Sequence, residues 1–222
     1  VKMVHNGIEY ALLEIIAEAY DLLRRLYGLS SQEIAAIFEK YSKEELSSYL
    51  MEIAVQVLRR KDDLAEGFLV DHILDQAEEK GTGRWTVNDA LERGVPVPII
   101  EASVLARSLS AQPRFPGLLS KLPEVNSKHP SLSQFRESLA KALFSGFYLA
   151  FQEGLALLKK ASSDMHWNLN LAEVIRIWQG GCIIRAKMLS SIRLPRKIDL
   201  ALSELVDLGL AASIPLLAFC AA

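Results

Sequence analysis

Cysteine is scarce: Cys182 and Cys220 are the only two, far apart and without metal-ligand spacing. This speaks against a disulfide scaffold, and reduced, buried thiols in a cytosolic protein are expected. The four histidines, His5, His72, His129 and His166, form no HxxH or HExxH pattern, so no metal site is expected. Charge of one sign is lacking too. A net charge of -2 argues against general affinity for nucleic acid or acidic membranes, while leaving room for a local basic pocket. Long apolar runs are missing: the least charged stretch, Leu208 to Ala222, is too short for a membrane span and contains Pro215. The N-terminal segment carries Lys2, Glu9 and Glu14 among its apolar residues, which does not suit a signal peptide. Strand alternation is absent as well, and so are a βαβ pattern and a G-x-G-x-x-G turn. A soluble, cytoplasmic protein is expected, without nucleic-acid or membrane partners.

What is present is helical periodicity. Half of the 222 residues are apolar, enough for one large domain or two small ones. The spacing predicts a first helix from Lys2 to about Tyr27, stopped by Gly28 in the left-handed region. Ser30 with Glu33 is a capping box for a second helix ending near Lys40, and Ser42 with Glu45 predicts a third, reaching about Arg60. Lys61 to Gly67 is turn-like. Further helical stretches are expected over Val70 to Glu79, broken at Gly81 and Gly83, and over Val87 to Arg93, capped by Thr86 and closed by Gly94. Pro96 and Pro98 lead into a helix through Glu101, Leu105 and Leu109. Four prolines between Ala111 and Pro130 mark an irregular connection. A second long helix runs from Ser131 to about Lys160, with Phe135, Leu139, Leu143, Phe147, Phe151 and Leu155 near one stripe. Asn170 with Glu173 caps a helix to Trp178. Gly180-Gly181 reads as an interruption or a close helix crossing, with helix resuming over Cys182 to Ile192 and again over Asp199 to Ala211. The fold class is all-α: a single multi-helix domain over 1–222 with two long buried helices.

The opening stretch, Lys2-Met3-Val4-His5-Asn6-Gly7-Ile8-Glu9-Tyr10, is the chemically rich one. At helical spacing Lys2, His5, Asn6 and Glu9 share one face. Such a face suits a solvated surface with an i,i+4 ion pair, and it equally suits a base and an acid on one rigid element; spacing does not choose between them. Lys80-Gly81-Thr82-Gly83 has a compact ammonium and exposed glycine amides, which suit a phosphate dianion, though Lys-Gly is also a common helix end. Arg107 can add a fork of donors to the same anion.

The literal strings are more specific. Lys2 to Tyr10, then Lys80-Gly81-Thr82-Gly83-Arg84-Trp85-Thr86, Leu105-Ala106-Arg107 and Trp178-Gln179-Gly180-Gly181-Cys182-Ile183-Ile184-Arg185 occur here in one order. Together they resemble the helical C-terminal domain of the decarboxylating 6-phosphogluconate dehydrogenases. The resemblance covers nearly the whole chain but only part of the family's usual length. Gln179, Ser213 and Leu217 depart from the family's pattern.

The resemblance implies oxidative decarboxylation of 6-phosphogluconate to ribulose 5-phosphate and CO2, with NADP as cofactor. It places the base at Lys2 and the acid at Glu9. Such partners are typically worth roughly 10²–10⁴ in rate. A lysine of ordinary pKa, about 10.4, must fall to about 7–8 for that work. The resemblance also implies that His5 and Asn6 contact the sugar acid, and that Tyr10, Lys80, Thr82 and Arg107 contact its phosphate. The family's nucleotide-binding domain precedes the opening string and its tail follows Ala222. Neither is expected within this chain, which is therefore expected to bind the sugar phosphate weakly at most and to lack turnover alone. Family members pair through this domain, so a homodimer is expected. The alternatives are the helical domain of another β-hydroxyacid dehydrogenase, whose non-phosphorylated substrate needs neither Lys80-Thr82 nor Arg107, and a non-catalytic helical dimerisation module.

Overall fold

Helix α1 (Lys2–Tyr27) is the axis against which the other elements are laid. Val4, Ile8, Leu12, Ile16, Ala19 and Leu23 recur every three or four residues along it and are all buried. The helix ends where the periodicity predicts: Gly28 takes a φ of 65°, and its N–H turns back to the carbonyls of Arg24 and Leu23. The computed structural model describes residues 1–112 and 130–192 of the chain. The expected features over 113–129 and from 193 onward, including the 199–211 helix and Cys220, lie outside the described residues.

Helix α2 (Ser31–Ser42) carries the capping box of Ser30 and Glu33, and pairs mainly with α3 (Tyr49–Arg59). Helices α4 (Thr82–Glu92), α5 (Pro98–Ser110) and α6 (Leu132–Asp164) all pack directly on α1. Helix α7 (Leu171–Trp178) follows, capped by Asn170, and a 3-10 turn spans Lys187–Ser190. No strand is present among the described residues beyond two isolated bridges, Ser48 with Ala186 and Lys61 with Phe68. Among the same residues no helix is long and apolar enough to cross a membrane. The all-α expectation holds.

Helix α6 is the second long helix, and its stripe of Phe135, Leu139, Leu143, Phe147, Phe151 and Leu155 is buried throughout. Each such side chain stabilises by roughly 1.5–3 kcal/mol relative to exposure. At Gly154 the α1–α6 crossing leaves no room for a side chain. A Cβ there would stand 2.5 Å from Ile8 Cδ1 and 3.0 Å from Val4 Cγ1, so the hydrogen of glycine sets the distance between the two long helices.

Four expectations are corrected. Helix α3 starts at Tyr49 under a Ser48 cap, because the Ser42 hydroxyl donates back to the Glu39 carbonyl and closes α2 instead. Residues 70–79 hold only a 3-10 turn, Leu69–Asp71, since Ile73 and Leu74 find no core and remain 54% and 78% exposed. Helix α4 begins a turn earlier than Thr86, which is fully buried and donates its hydroxyl to the Met3 and Thr82 carbonyls. Residues 182–192 form turns and the 3-10 segment, and nothing lies within 4 Å of a Cβ built on Gly180 or Gly181, so no helix crosses there among the described residues. Segment 185–187 instead bonds to the chain before α3, through Tyr49 N to Arg185 O and Lys187 N to Ser47 O.

The Gly154 contact makes a direct prediction. Gly154→Ala should lower unfolding stability in urea by about 1–3 kcal/mol, the usual cost of overpacking a close crossing. A variant as stable as the parent would show that Ile8 and Val4 rearrange freely, and that the crossing is not set there.

Candidate functional site

The first turns of α1 bring four polar groups together. His5 Nδ1 lies 3.4 Å from Lys2 Nζ, 3.2 Å from Asn6 Oδ1 and 3.9 Å from Glu9 Oε2. The shared face expected from the spacing is real, but its members are not equally solvated. Lys2 is exposed, Asn6 and Glu9 are partly buried, and His5 is only 4% exposed, its ring edge-on to Trp178 with centroids 6.3 Å apart. Helical spacing gave no sign of Trp178, which the sequence offered only within the string Trp178 to Arg185.

Two hydrogen bonds carry this face across to the Lys80–Thr82 segment. Asn6 Nδ2 donates to Thr82 Oγ1 at 3.2 Å, and the backbone N–H of Lys80 donates to the Tyr10 hydroxyl at 3.3 Å. With its amino group on Thr82, Asn6 presents its oxygen to His5. His5 Nδ1 thus stands between Asn6 Oδ1 and Lys2 Nζ, and the buried Nε2, on the ring that meets Trp178, has no hydrogen-bond partner among the described residues. Thr86 fastens the start of α1 to α4 through its bond to the Met3 carbonyl. The fit is tight on both helices. A Cβ on Gly7 would meet Thr86 Cγ2 at 2.8 Å, and one on Gly83 would meet the Tyr10 ring at 2.7 Å.

Arg107 comes from α5. Its guanidinium lies 3.7 Å from the centre of the Tyr10 ring, and its Nη1 donates to the Glu78 carbonyl at 3.0 Å. Arg107 thus joins Tyr10, and Tyr10 joins Lys80. The Lys80 side chain is exposed and makes no ion pair among the described residues. Helix α4 starts at Thr82 from a Gly81 cap with φ of 91° and no capping side chain, so the first amides of α4 are open beside these cations. Lys80-Gly81 therefore starts a helix here; it does not end one. A cavity of about 750 Å³ adjoins Arg107 on the side of Glu14, Glu18, Asp21 and Arg24, and reaches none of the other residues of the constellation. The groups joined by the Asn6–Thr82 and Tyr10–Lys80 bonds lie on the α1–α4 face, outside that cavity.

Burial moves the two titratable neighbours in opposite directions. It lowers the His5 pKa, the Lys2 charge lowers it further, and the bond to Asn6 opposes both. It raises the Glu9 pKa, while the Lys2 and Arg107 charges pull it back. Both shifts favour the uncharged form. The result is a row of ammonium, neutral imidazole, amide and a carboxyl that holds its proton more readily than usual, continued by a guanidinium and free helix amides. Such a row can orient a polyhydroxy acid and hold a dianion at its other end. No group of three or more His, Cys, Asp or Glu that could hold a metal occurs among the described residues.

The chain is similar to known proteins over most of its length. Residues 1–207 match the family model of the 6-phosphogluconate dehydrogenase C-terminal domain. The decarboxylating 6-phosphogluconate dehydrogenase of Lactococcus lactis subsp. lactis is 48% identical over 195 residues, covering 86% of this chain and 41% of that protein. The NADP(+)-dependent, decarboxylating enzyme of Bacillus subtilis is 44% identical over 197 residues, covering 87% and 42%. The Plasmodium falciparum 6-phosphogluconate dehydrogenase, solved in its apo form, with NADP+ and with 6-phosphogluconate, superposes with a TM-score of 0.79 at 38% identity, covering 99% of this chain and 48% of that one. The chain spans less than half the length of each of these proteins. It belongs to the 6-phosphogluconate dehydrogenase C-terminal-domain family.

Proposed function

We propose that the chain is the sugar-phosphate side of a decarboxylating 6-phosphogluconate dehydrogenase, with NADP as the oxidant and a homodimer in the cytoplasm as the working form. The observation that carries the reading is the pair of bonds Asn6–Thr82 and Tyr10–Lys80, which join a proton-transfer face to a cationic, amide-rich end. In this reading Lys80, Thr82 and Arg107 hold the phosphate together with the α4 amides, and Tyr10 supports them. His5 and Asn6 fix the sugar acid. The phosphate-directed groups favour this substrate over a β-hydroxyacid without phosphate. Exposed apolar side chains such as Leu105 and Leu109 on α5 agree with pairing of two copies.

Lys2 serves as the base that takes the proton of the hydroxyl that is oxidised. The carbon–carbon bond to the carboxylate then breaks, CO2 leaves, and its electron pair stays on the sugar as an enediol. Glu9 delivers a proton to that carbon, which completes ribulose 5-phosphate. The raised Glu9 pKa suits an acid, and the neutral His5 beside it adds no second charge. NADP would supply hydride acceptance; the described residues offer no strand–turn–helix unit to hold a dinucleotide.

Calorimetric titration of the chain with 6-phosphogluconate should show one site, with gluconate and 3-hydroxyisobutyrate binding much more weakly. Arg107→Ala should weaken 6-phosphogluconate roughly 10–100-fold, the range for charged hydrogen bonds, and leave gluconate unchanged. Equal affinity for all three ligands would defeat the assignment.

The electrostatic reading is checked separately by carbon-detected NMR of labelled glutamate. The Glu9 carboxyl should titrate above 4.5, and the His5 ring below 6.5, because each is held toward its neutral form. Replacing Lys2 by Met removes a charge that lowers both, so both midpoints should rise. A Glu9 midpoint below 4.5 would remove it as the acid.

A further inference from the structure

Helix α5 cannot cap its own start. Its N-cap is Val97, which has no side-chain acceptor, and its first residue, Pro98, has no N–H. The two amides left free belong to Ile99 and Ile100, and one carboxylate from α6 takes both. Ile99 N donates to Glu153 Oε1 at 3.0 Å, and Ile100 N donates to Glu153 Oε2 at 3.1 Å. Helices α2, α3, α6 and α7 instead begin under their own Ser30, Ser48, Ser131 and Asn170. A cap of that kind fixes only the turn it belongs to. A cap reaching across from another helix also fixes where the capped helix sits.

Glu153 is 5% exposed, within the stretch of α6 from Ala150 to Leu155 in which every residue is buried. Burial pushes its pKa up to about 8 against the pull of the two amides, with Glu101, on the first turn of α5, adding to the rise. A carboxyl is costly to bury, and the two amide bonds it accepts offset part of that cost. Its neighbour Gly154 is the point at which α6 meets Ile8 and Val4 of α1. Two consecutive residues of α6 thus hold α1 and α5, the helices that carry Tyr10 and Arg107.

We propose that Glu153 is the positioning residue of the anion end: by gripping both free amides of α5 it sets the height and rotation at which Arg107 lies over Tyr10. It touches no ligand itself, and only the identity of the ligand rests on the function proposed above.

The test begins without ligand. In the full chain labelled with 15N at arginine, the Arg107 side-chain signals, assigned through Arg107→Lys, should carry the upfield shift of a group above a tyrosine ring. Glu153→Leu should return them toward free arginine, and Glu153→Gln, which keeps one acceptor, should give an intermediate shift. Unchanged Arg107 signals in a helical Glu153→Leu protein would overturn the proposal; if that variant does not fold, unchanged signals in Glu153→Gln would do so. Calorimetry with 6-phosphogluconate should then show affinity about tenfold weaker in Glu153→Leu, or in Glu153→Gln to a smaller degree. No further loss is expected on an Arg107→Ala background, because the effect passes through Arg107. The same loss on both backgrounds would mean that Glu153 is merely structural. Should the parent chain bind no 6-phosphogluconate while the Arg107 signals still respond, the ligand is wrong and the positioning stands.

Discussion

The arrangement depends on how closely other helices approach the first turns of α1. At Gly7 the helix meets Thr86 of α4; at Gly83 of α4 it is Tyr10 that fills the space; at Gly154 of α6 it is Ile8 and Val4. In each place a methyl group would collide. The two faces of α1 are therefore held by α4 and α6 at backbone distance, and the polar residues between those contacts have little freedom. Glycine inside a helix costs roughly 0.5–1 kcal/mol relative to alanine, and Gly7, Gly83 and Gly154 are all helical. That cost is offset by dispersion contacts along the crossings and by a site whose members cannot drift apart.

This closeness explains why burial dominates the charges. His5 and Glu9 share a neighbour, Lys2, whose charge lowers both pKa values. For His5 the charge and burial act together; for Glu9 they oppose each other, and burial wins. Were α1 further from α4 and Trp178, water would reach both groups, the desolvation effect would fade, and the Lys2 and Arg107 charges would decide. The upward push on the Glu9 pKa would then be lost. The packing at Gly7 and Gly83 thus bears on the pKa of a side chain that neither glycine touches.

How much of this could be read from the residues depended on whether the deciding interaction was local. The limits of α1, the Ser30–Glu33 box and the Asn170 cap were legible because each is settled within one turn. The face of Lys2, His5, Asn6 and Glu9 was legible from spacing, and its chemical sense came from the resemblance. The misreadings share a cause: a distant partner overruled a local signal. Ser42 had the pattern of a cap but bonded backward, while residues 47–49 were tied to 185–187. Thr86 had the type of a cap but was drawn into the core by Met3. Val70 to Glu79 had a helical pattern with nothing to bury it against. Glu153 left one visible trace, a charged residue inside an apolar stripe, but its meaning lay in Val97 and Pro98 more than fifty positions away.

The Lys80-Gly81-Thr82 string shows what such a reversal does to chemistry. Read as the close of a helix, it would present carbonyl oxygens and the negative end of the dipole to any ligand. The pull of Met3 on Thr86, and the room that Gly83 leaves for the Tyr10 ring, draw residues 82–86 into the first turn of α4. The same residues then present N–H groups and the positive end, next to Lys80, whose own N–H meets the hydroxyl of the Tyr10 that Arg107 covers. An anion that the first orientation would repel is attracted by the second. One tertiary hydrogen bond and one missing side chain thus decide the sign of the field at the end of the site, and no count of charges in the string would have revealed it.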